Sequence, residues 1–342
     1  MRILLFCVLV TLVGCASDSG EWEPAEYLST YDLFKGSGAT QEPAAGVVPY
    51  EINTPLFTDY TAKYRFIKLP DGKAGMYDPD KTFDLPVGTI VAKTFAYPHD
   101  MRNLAKGRRL LETRLLVHRP NGWVGLPYVW NEEQTDAVLE IAGELIKAQW
   151  VHTDGQKRKN LHLVPNMNQC KQCHNQDDKI KPIGIRARHL NRDYDYLHGA
   201  ENQLSFWSRT GMVKGVPDPA DAPRLAVWND PKTGTVDARA RAWVEINCAH
   251  CHSPGGRGWS TGLDLTASQT DSALIGVYKL PTAAGRATGG FEYDIVPGKP
   301  DESIFVYRIA STEADIVMPE LGRKLVHIEG LALVREWIEQ ME

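Results

Sequence analysis

Surplus charge is scarce in this chain: 38 basic side chains against 43 acidic ones leave a formal net charge of −5 over 342 residues. Phosphate recognition needs a concentrated basic surface, so nucleic acid is excluded as the working partner. Long apolar runs are scarce too. The run that stands out, Ile3 to Val13, covers eleven residues, against the roughly 20 that a membrane-spanning helix takes. There is no Gly-rich phosphate loop, no nucleophile motif and no short-period repeat. Disorder is excluded as well, because 43% of the residues are hydrophobic and only 24% charged. The length fits two or three domains.

Cysteine is rare, with six in the chain, and each has a place. Arg2 followed by the apolar run reads as an export signal over residues 1–14. It ends in Leu12-Val13-Gly14-Cys15, which resembles a bacterial lipobox. That resemblance implies lipidation of Cys15 as the mature N-terminus, with Cys7 lost in the signal; an ordinary signal peptide is the plainer alternative. Two or three acyl chains hold a protein stably where about one does not. Residue 16 is Ala rather than Asp, so the resemblance implies an outer-membrane lipoprotein facing the periplasm.

The other four cysteines all fall in Cys170-Lys171-Gln172-Cys173-His174 and Cys248-Ala249-His250-Cys251-His252. This is the C-x-x-C-H signature of c-type haem attachment. Two thiols three positions apart on one helical turn both reach the haem vinyl groups, and the next histidine falls beneath the iron. A thiol redox pair would want a βαβ pattern around the motif, and neither copy has one. Zinc would have to draw on two motifs 78 residues apart and would leave a histidine over in each. The expectation is two covalently bound haem c groups, with His174 and His252 as proximal ligands.

The expected fold class is α+β and multidomain, an N-terminal antiparallel β domain followed by a mostly α-helical di-haem region. Residues 15–48, rich in Ala, Gly, Ser, Glu and Pro, read as a tether. Over 49–164 the pattern is β-like. Tyr64–Leu69 and Thr89–Tyr97 are strands, and Thr113–His118 with Trp123–Trp130 form a hairpin across Pro120-Asn121-Gly122. Ala137–Ile146 reads as strands rather than a short helix. His99, Asp100, Arg114, His118, Trp130, Glu132 and Glu133 in this domain are taken as strand faces, turns and core aromatics rather than as an active site. The first haem unit is assigned to 165–220, with a helix over Asn202–Met212 and a Pro-rich connector at Gly215–Pro223.

Residues 221–342 carry apolar helical spacing over Asp237–Asn247 and Leu325–Met341, with Ile316-Val317-Met318-Pro319 between them. In this the unit resembles a class I cytochrome c. The resemblance implies Cys248 and Cys251 as thioether cysteines, His252 as proximal ligand and Met318, 66 residues on, as distal ligand. A core methionine is the alternative for Met318. His250, between the thioether cysteines, is expected to point away from the iron. For the sixth ligand of the first haem Met212 leads, with His189, His198, His99, Met101, His118 or an open iron as alternatives.

Asn53-Thr54-Pro55-Leu56-Phe57, Tyr128-Val129-Trp130-Asn131-Glu132, Pro165 to Cys170 and Tyr293 to Gly298 resemble a family of proteobacterial di-haem c-type cytochromes. Two thioether-bound haems lead to the expectation of electron transfer with a periplasmic redox protein or dehydrogenase. The family resemblance points only to an exported parallel β-helix protein as a partner, with the β domain docking one or the other. A di-haem peroxidase-like oxidoreductase with one open haem is the rival expectation, and a haem-bearing docking subunit of an exported complex is the third.

Overall fold

The computed structural model describes residues 22–342; the segment expected to be an export signal, and Cys15 as the expected lipidation site, lie outside the described residues. A six-stranded antiparallel sheet dominates, in the order β1-β2-β4-β5-β6-β7. Its strands are β1 (Val47–Tyr50), β2 (Ala62–Lys68), β4 (Ile90–Pro98), β5 (Arg108–Arg119), β6 (Gly122–Trp130) and β7 (Ala137–Leu139). The short β3 (Gly75–Met76) pairs outside it with Val213–Lys214. A separate hairpin, β8 (Glu144–Val151) with β9 (Lys157–Val164), packs its Ile146, Trp150 and Val164 on Tyr97 and Leu111. The hairpin read from Pro120-Asn121-Gly122 is β5–β6, closing with Arg119 opposite Gly122.

Both faces of the sheet are covered. On one, Phe66, Ala92, Leu115 and Leu126 meet Leu28 and Leu33. Residues from Trp22 onward, expected as a tether, therefore pack on the sheet, and Tyr27 bridges to Val138. Their few apolar side chains follow no helix or strand period, so nothing in the pattern announces them. On the other face Ile67, Val91 and Leu116 meet Ile185, Leu190, Leu204 and Trp207 from the segment after the first motif. Asn53-Thr54-Pro55-Leu56-Phe57 ties these parts together. The Asn53 amide donates to the carbonyls of Arg188 and Leu225, the Thr54 hydroxyl to Ala226, and the Phe57 N–H to the Asn247 side chain.

The expected mostly α-helical di-haem region is not there. The described chain is mainly β-sheet and turns, with 24% helix once the short 3-10 and π turns are counted with its seven α-helices. These are α1 (Met167–His174), α2 (Ala187–Leu190), α3 (Gln203–Arg209), α4 (Val236–Val244), α5 (Ser272–Ile275), α6 (Ile304–Ala310) and α7 (Ile328–Glu339). Helical spacing did mark α3, α4 and α7, and α4 crosses α7 through Trp243, Val244, Val334 and Ile338. What it did not show is how little helix lies between. Nine glycines from Gly255 to Gly298 break that stretch into turns, because each costs a helix about 1 kcal/mol against alanine. Among the described residues no helix is long and apolar enough to cross a membrane.

Candidate functional site

Each motif is built by local chemistry and then pressed against the other. Helix α1 begins with a reciprocal cap: the Asn166 side chain accepts from the Gln169 N–H at 2.8 Å, and the Gln169 side chain accepts from the Asn166 N–H at 2.9 Å. The helix lies on β6 at Gly125, where a Cβ would come within 2.9 Å of the Cys170 Cβ. Only glycine lets Cys170 sit there.

Beyond His174 the chain turns back through β10 (Asn175–Gln176) and β11 (Lys179–Ile180). Asp177 and Asp178 take φ of 52° and 59° in the two-residue turn, the conformation that tight hairpins favour. This reversal places the Lys181 carbonyl 2.8 Å from His174 Nδ1. A carbonyl only accepts, so Nδ1 carries the proton and Nε2 keeps the lone pair.

The second motif follows α4, which is capped by Thr235 and continues as a π turn over Glu245–Ala249. His252 Nδ1 lies 3.1 Å from the Thr261 hydroxyl, whose own proton goes to the Gly258 carbonyl at 2.7 Å. Thr261 is thus the acceptor, and His252 has the same tautomer as His174. Burial pushes both histidines down to about 4, so both rings are neutral near neutral pH.

The motifs meet through their loops. The Asp177 N–H donates to the Gly255 carbonyl at 2.9 Å, and Gln176 bridges to Gly256. A Cβ at Gly255 would run into the Asp177 carboxylate. The Cys251 thiol reaches the Gln172 carbonyl at 3.5 Å and also contacts the Cys173 thiol. That thiol–thiol contact lowers Cys173 and raises Cys251. Burial pushes Cys248 up to about 12.

Two cavities flank this junction. The larger, about 280 Å³, is lined by Cys248, Cys251, His252 and Met318 together. The smaller, about 130 Å³, is lined by Cys173 and His174 on one side and by Arg65, Lys93 and Arg114 of the sheet on another. Cys173, His250 and Met318 border both. His250, expected to point away from its own iron, turns toward the first motif and keeps a buried Nδ1 with no partner.

Arg323 holds the Met318 loop by donating from Nε to the Met318 carbonyl at 3.0 Å and from Nη1 to that of Leu325 at 3.1 Å. These features fit c-type haem. Each motif supplies a neutral histidine at a cavity edge, with Cys248 and Cys251 on the wall of the larger cavity and Cys173 on that of the smaller, while Cys170 sits against Gly125 and lines neither. Among the described residues no three His, Cys, Asp or Glu side chains are grouped to hold a bare metal ion.

The other sequence candidates disperse. Met212 packs against the apolar cluster under Trp207 and lines neither cavity. His189 pairs with Glu245 at 3.0 Å and borders only a third void of about 40 Å³. His198 pairs with Glu201 near the surface, and His118 stacks on Trp123 with Nδ1 on the Leu85 carbonyl. His99, Glu132 and Glu133 are exposed, and Asp100 pairs with Arg102 and Lys106. Met101 packs beside the β8–β9 hairpin, and Trp130 is buried with its N–H on Thr113. Of that group only Arg114 reaches the site.

Sequence reasoning missed Arg65, Lys93, Arg323 and His327, which all line the smaller cavity, and Asp59, which accepts from the Lys324 and Leu325 N–H groups just past Met318. The usable signal was Lys93 inside Val91-Ala92-Lys93-Thr94-Phe95, a charge in the middle of an apolar strand. Comparisons with protein families, with curated proteins and with solved structures return no match.

Proposed function

We propose that this chain is a di-haem c-type cytochrome that carries electrons, with one haem attached at Cys170 and Cys173 and the other at Cys248 and Cys251. The observation that carries the reading is the shared tautomer of His174 and His252. Each Nδ1–H is committed to an oxygen, which leaves Nε2 as the ligand nitrogen and makes it more basic. Each haem would supply a one-electron ferric/ferrous couple whose potential is set by axial ligands and burial.

Met318 borders the same cavity as His252 and is the distal ligand in this reading. The two cavities share Cys173, His250 and Met318 as a common wall, which supports electron passage from one haem to the other within the chain. A bare ion would need a cluster of protein ligands, whereas a haem brings its own four nitrogens and asks for one or two side chains. The export signal points to the periplasmic face of the outer membrane as the site of action. The partner is a periplasmic redox protein or dehydrogenase, or an exported β-helix protein.

A second reading draws on Met212, which lines neither cavity. If His250 and Met318, which border the cavity beside His174, also left the first iron without a second axial ligand, the protein would be a di-haem oxidoreductase of the peroxidase type. Low-temperature electron paramagnetic resonance separates the two, on the oxidised protein and again after one electron per molecule. Two low-spin ferric signals, one of which vanishes first, support the carrier. A high-spin signal in either state supports the oxidoreductase.

A further inference from the structure

The cavity beside His174 has a wall that the sheet alone does not explain. Arg65 on β2, Lys93 on β4 and Arg114 on β5 are direct cross-strand neighbours, Arg65 opposite Lys93 and Lys93 opposite Arg114. All three line that cavity. Like charges placed opposite one another destabilise a sheet.

The carboxylates nearby do not balance the row. Glu51 takes Arg65 Nη1 at 2.7 Å, but Arg65 Nη2 is buried with no partner. Glu112 accepts from Arg114 Nε at 2.8 Å and from Nη2 at 2.5 Å, and it also bonds His162 Nε2 at 2.6 Å. Lys93 makes no ion pair among the described residues; its ammonium stands 4.9 Å from the Phe95 ring. Lys63, one row along on the same face, donates only to the Thr61 carbonyl. Burial, with Arg65 and Lys63 beside it, drives Lys93 well below the ordinary lysine range. A buried guanidinium nitrogen without an acceptor next to an ammonium without a counter-ion marks a place for an anion.

Ile52, Leu56, Val91 and Leu116 give the cavity an apolar wall as well, and Thr58, Asn247, His250, Arg323 and His327 line the remainder. A fitting occupant has an apolar body and carboxylates at one edge. We propose that Arg65, Lys93 and Arg114 form a carboxylate-binding wall that takes the propionate groups of the haem attached at the first motif. The inference rests on the haem reading above. A free carboxylate entering an open cavity would use the same chemistry, and the test separates the two sources.

The experiment compares mature wild-type protein with Lys93→Met and Lys93→Arg. Methionine keeps the length of the half-buried side chain and removes its charge, and circular dichroism of the variant checks that it folds. Haem content is read first by pyridine haemochrome, then both midpoint potentials by spectroelectrochemistry, with and without added acetate.

With two haems present, Lys93→Met lowers one potential and leaves the other in place, because a lost positive charge favours the ferric state. The expected shift is about tenfold in the reduction equilibrium, about 59 mV for one electron. Lys93→Arg restores it, and acetate changes nothing in the wild type. Two haems with unchanged potentials in Lys93→Met would overturn the wall while leaving the cofactor reading intact. A wild-type haem spectrum that shifts with acetate would overturn the propionate assignment in favour of a free carboxylate. A protein without haem would overturn the cofactor reading and this inference with it.

Discussion

The Asp59 carboxylate holds the backbone N–H of Lys324 with both its oxygens, at 2.8 and 3.0 Å, across 265 residues of sequence. One of those oxygens also accepts from the Leu325 N–H at 2.8 Å. Asp59 is buried, in a left-handed conformation at the turn before β2, and its partners lie just past Met318. Asp59 thus ties the sheet to the Met318 loop beside the Tyr60 hydroxyl, which bonds Glu329 and the Ile328 N–H, and Arg323 fastens the loop from within.

Replacing Asp59 with Ala strips these amides of their acceptor. Donors left unpaired cost about 1–3 kcal/mol each, less where water reaches them as at the exposed Lys324, so the expected loss for the two is about 2–6 kcal/mol at most in denaturant unfolding. The second haem's low-spin resonance should change, since Met318 would no longer be held, while the first haem's stays. Asp59→Asn, which keeps one acceptor oxygen, should fall between.

The sites were legible where the signal is local. C-x-x-C-H is a spacing within one helical turn, and Met318 stood out because few methionines follow His252. Alternation found the strands. Asp59 was invisible because its meaning lies in a partner far along the chain. Arg65, Lys93 and Arg114 were passed over because charges on a strand normally mark a solvated face. Here both faces are covered, and the charges border a cavity instead. The helical expectation failed because three real helices were extended in thought across a stretch that glycine and proline keep as turns.

On the di-haem proposal, Thr261 would tune the second haem alone. In Thr261→Val the His252 Nδ1–H loses its acceptor, Nε2 becomes a weaker donor and the ferrous state gains. A hydrogen bond worth about 0.5–1.5 kcal/mol corresponds to a rise of about 20–60 mV for one electron. The first haem, whose His174 is tied to a backbone carbonyl, is the internal control in spectroelectrochemistry.

Gly125 is the seat of α1. Gly125→Val places its Cβ against Cys170 and forces the helix off β6. Overpacking costs about 1–3 kcal/mol. Haem content per chain should fall from two towards one, with the His252 haem retained.

Acid should weaken the fold through two buried carboxylates. Burial raises Glu112, but Arg114 and His162 outweigh it and hold it at about 2. Glu245 is likewise raised by burial and brought down to about 2 by His189 and Arg188. Both lie below their unfolded value of 4.5. Their contribution is therefore present above about pH 4.5 and is lost as pH falls towards 2, on the order of 3 kcal/mol each. Urea midpoints at several pH values should show that slope, and Glu112→Gln should flatten part of it.

The central claim is that the four cysteines of the two motifs carry haem as thioethers, and intact-mass spectrometry of the protein purified from a host that assembles c-type haem tests it most directly. The account predicts the mass of the chain plus two haems, with peptides containing Cys170 to His174 and Cys248 to His252 each bearing one. A chain without added haem, two hydrogens lighter through a Cys173–Cys251 disulfide, would contradict it.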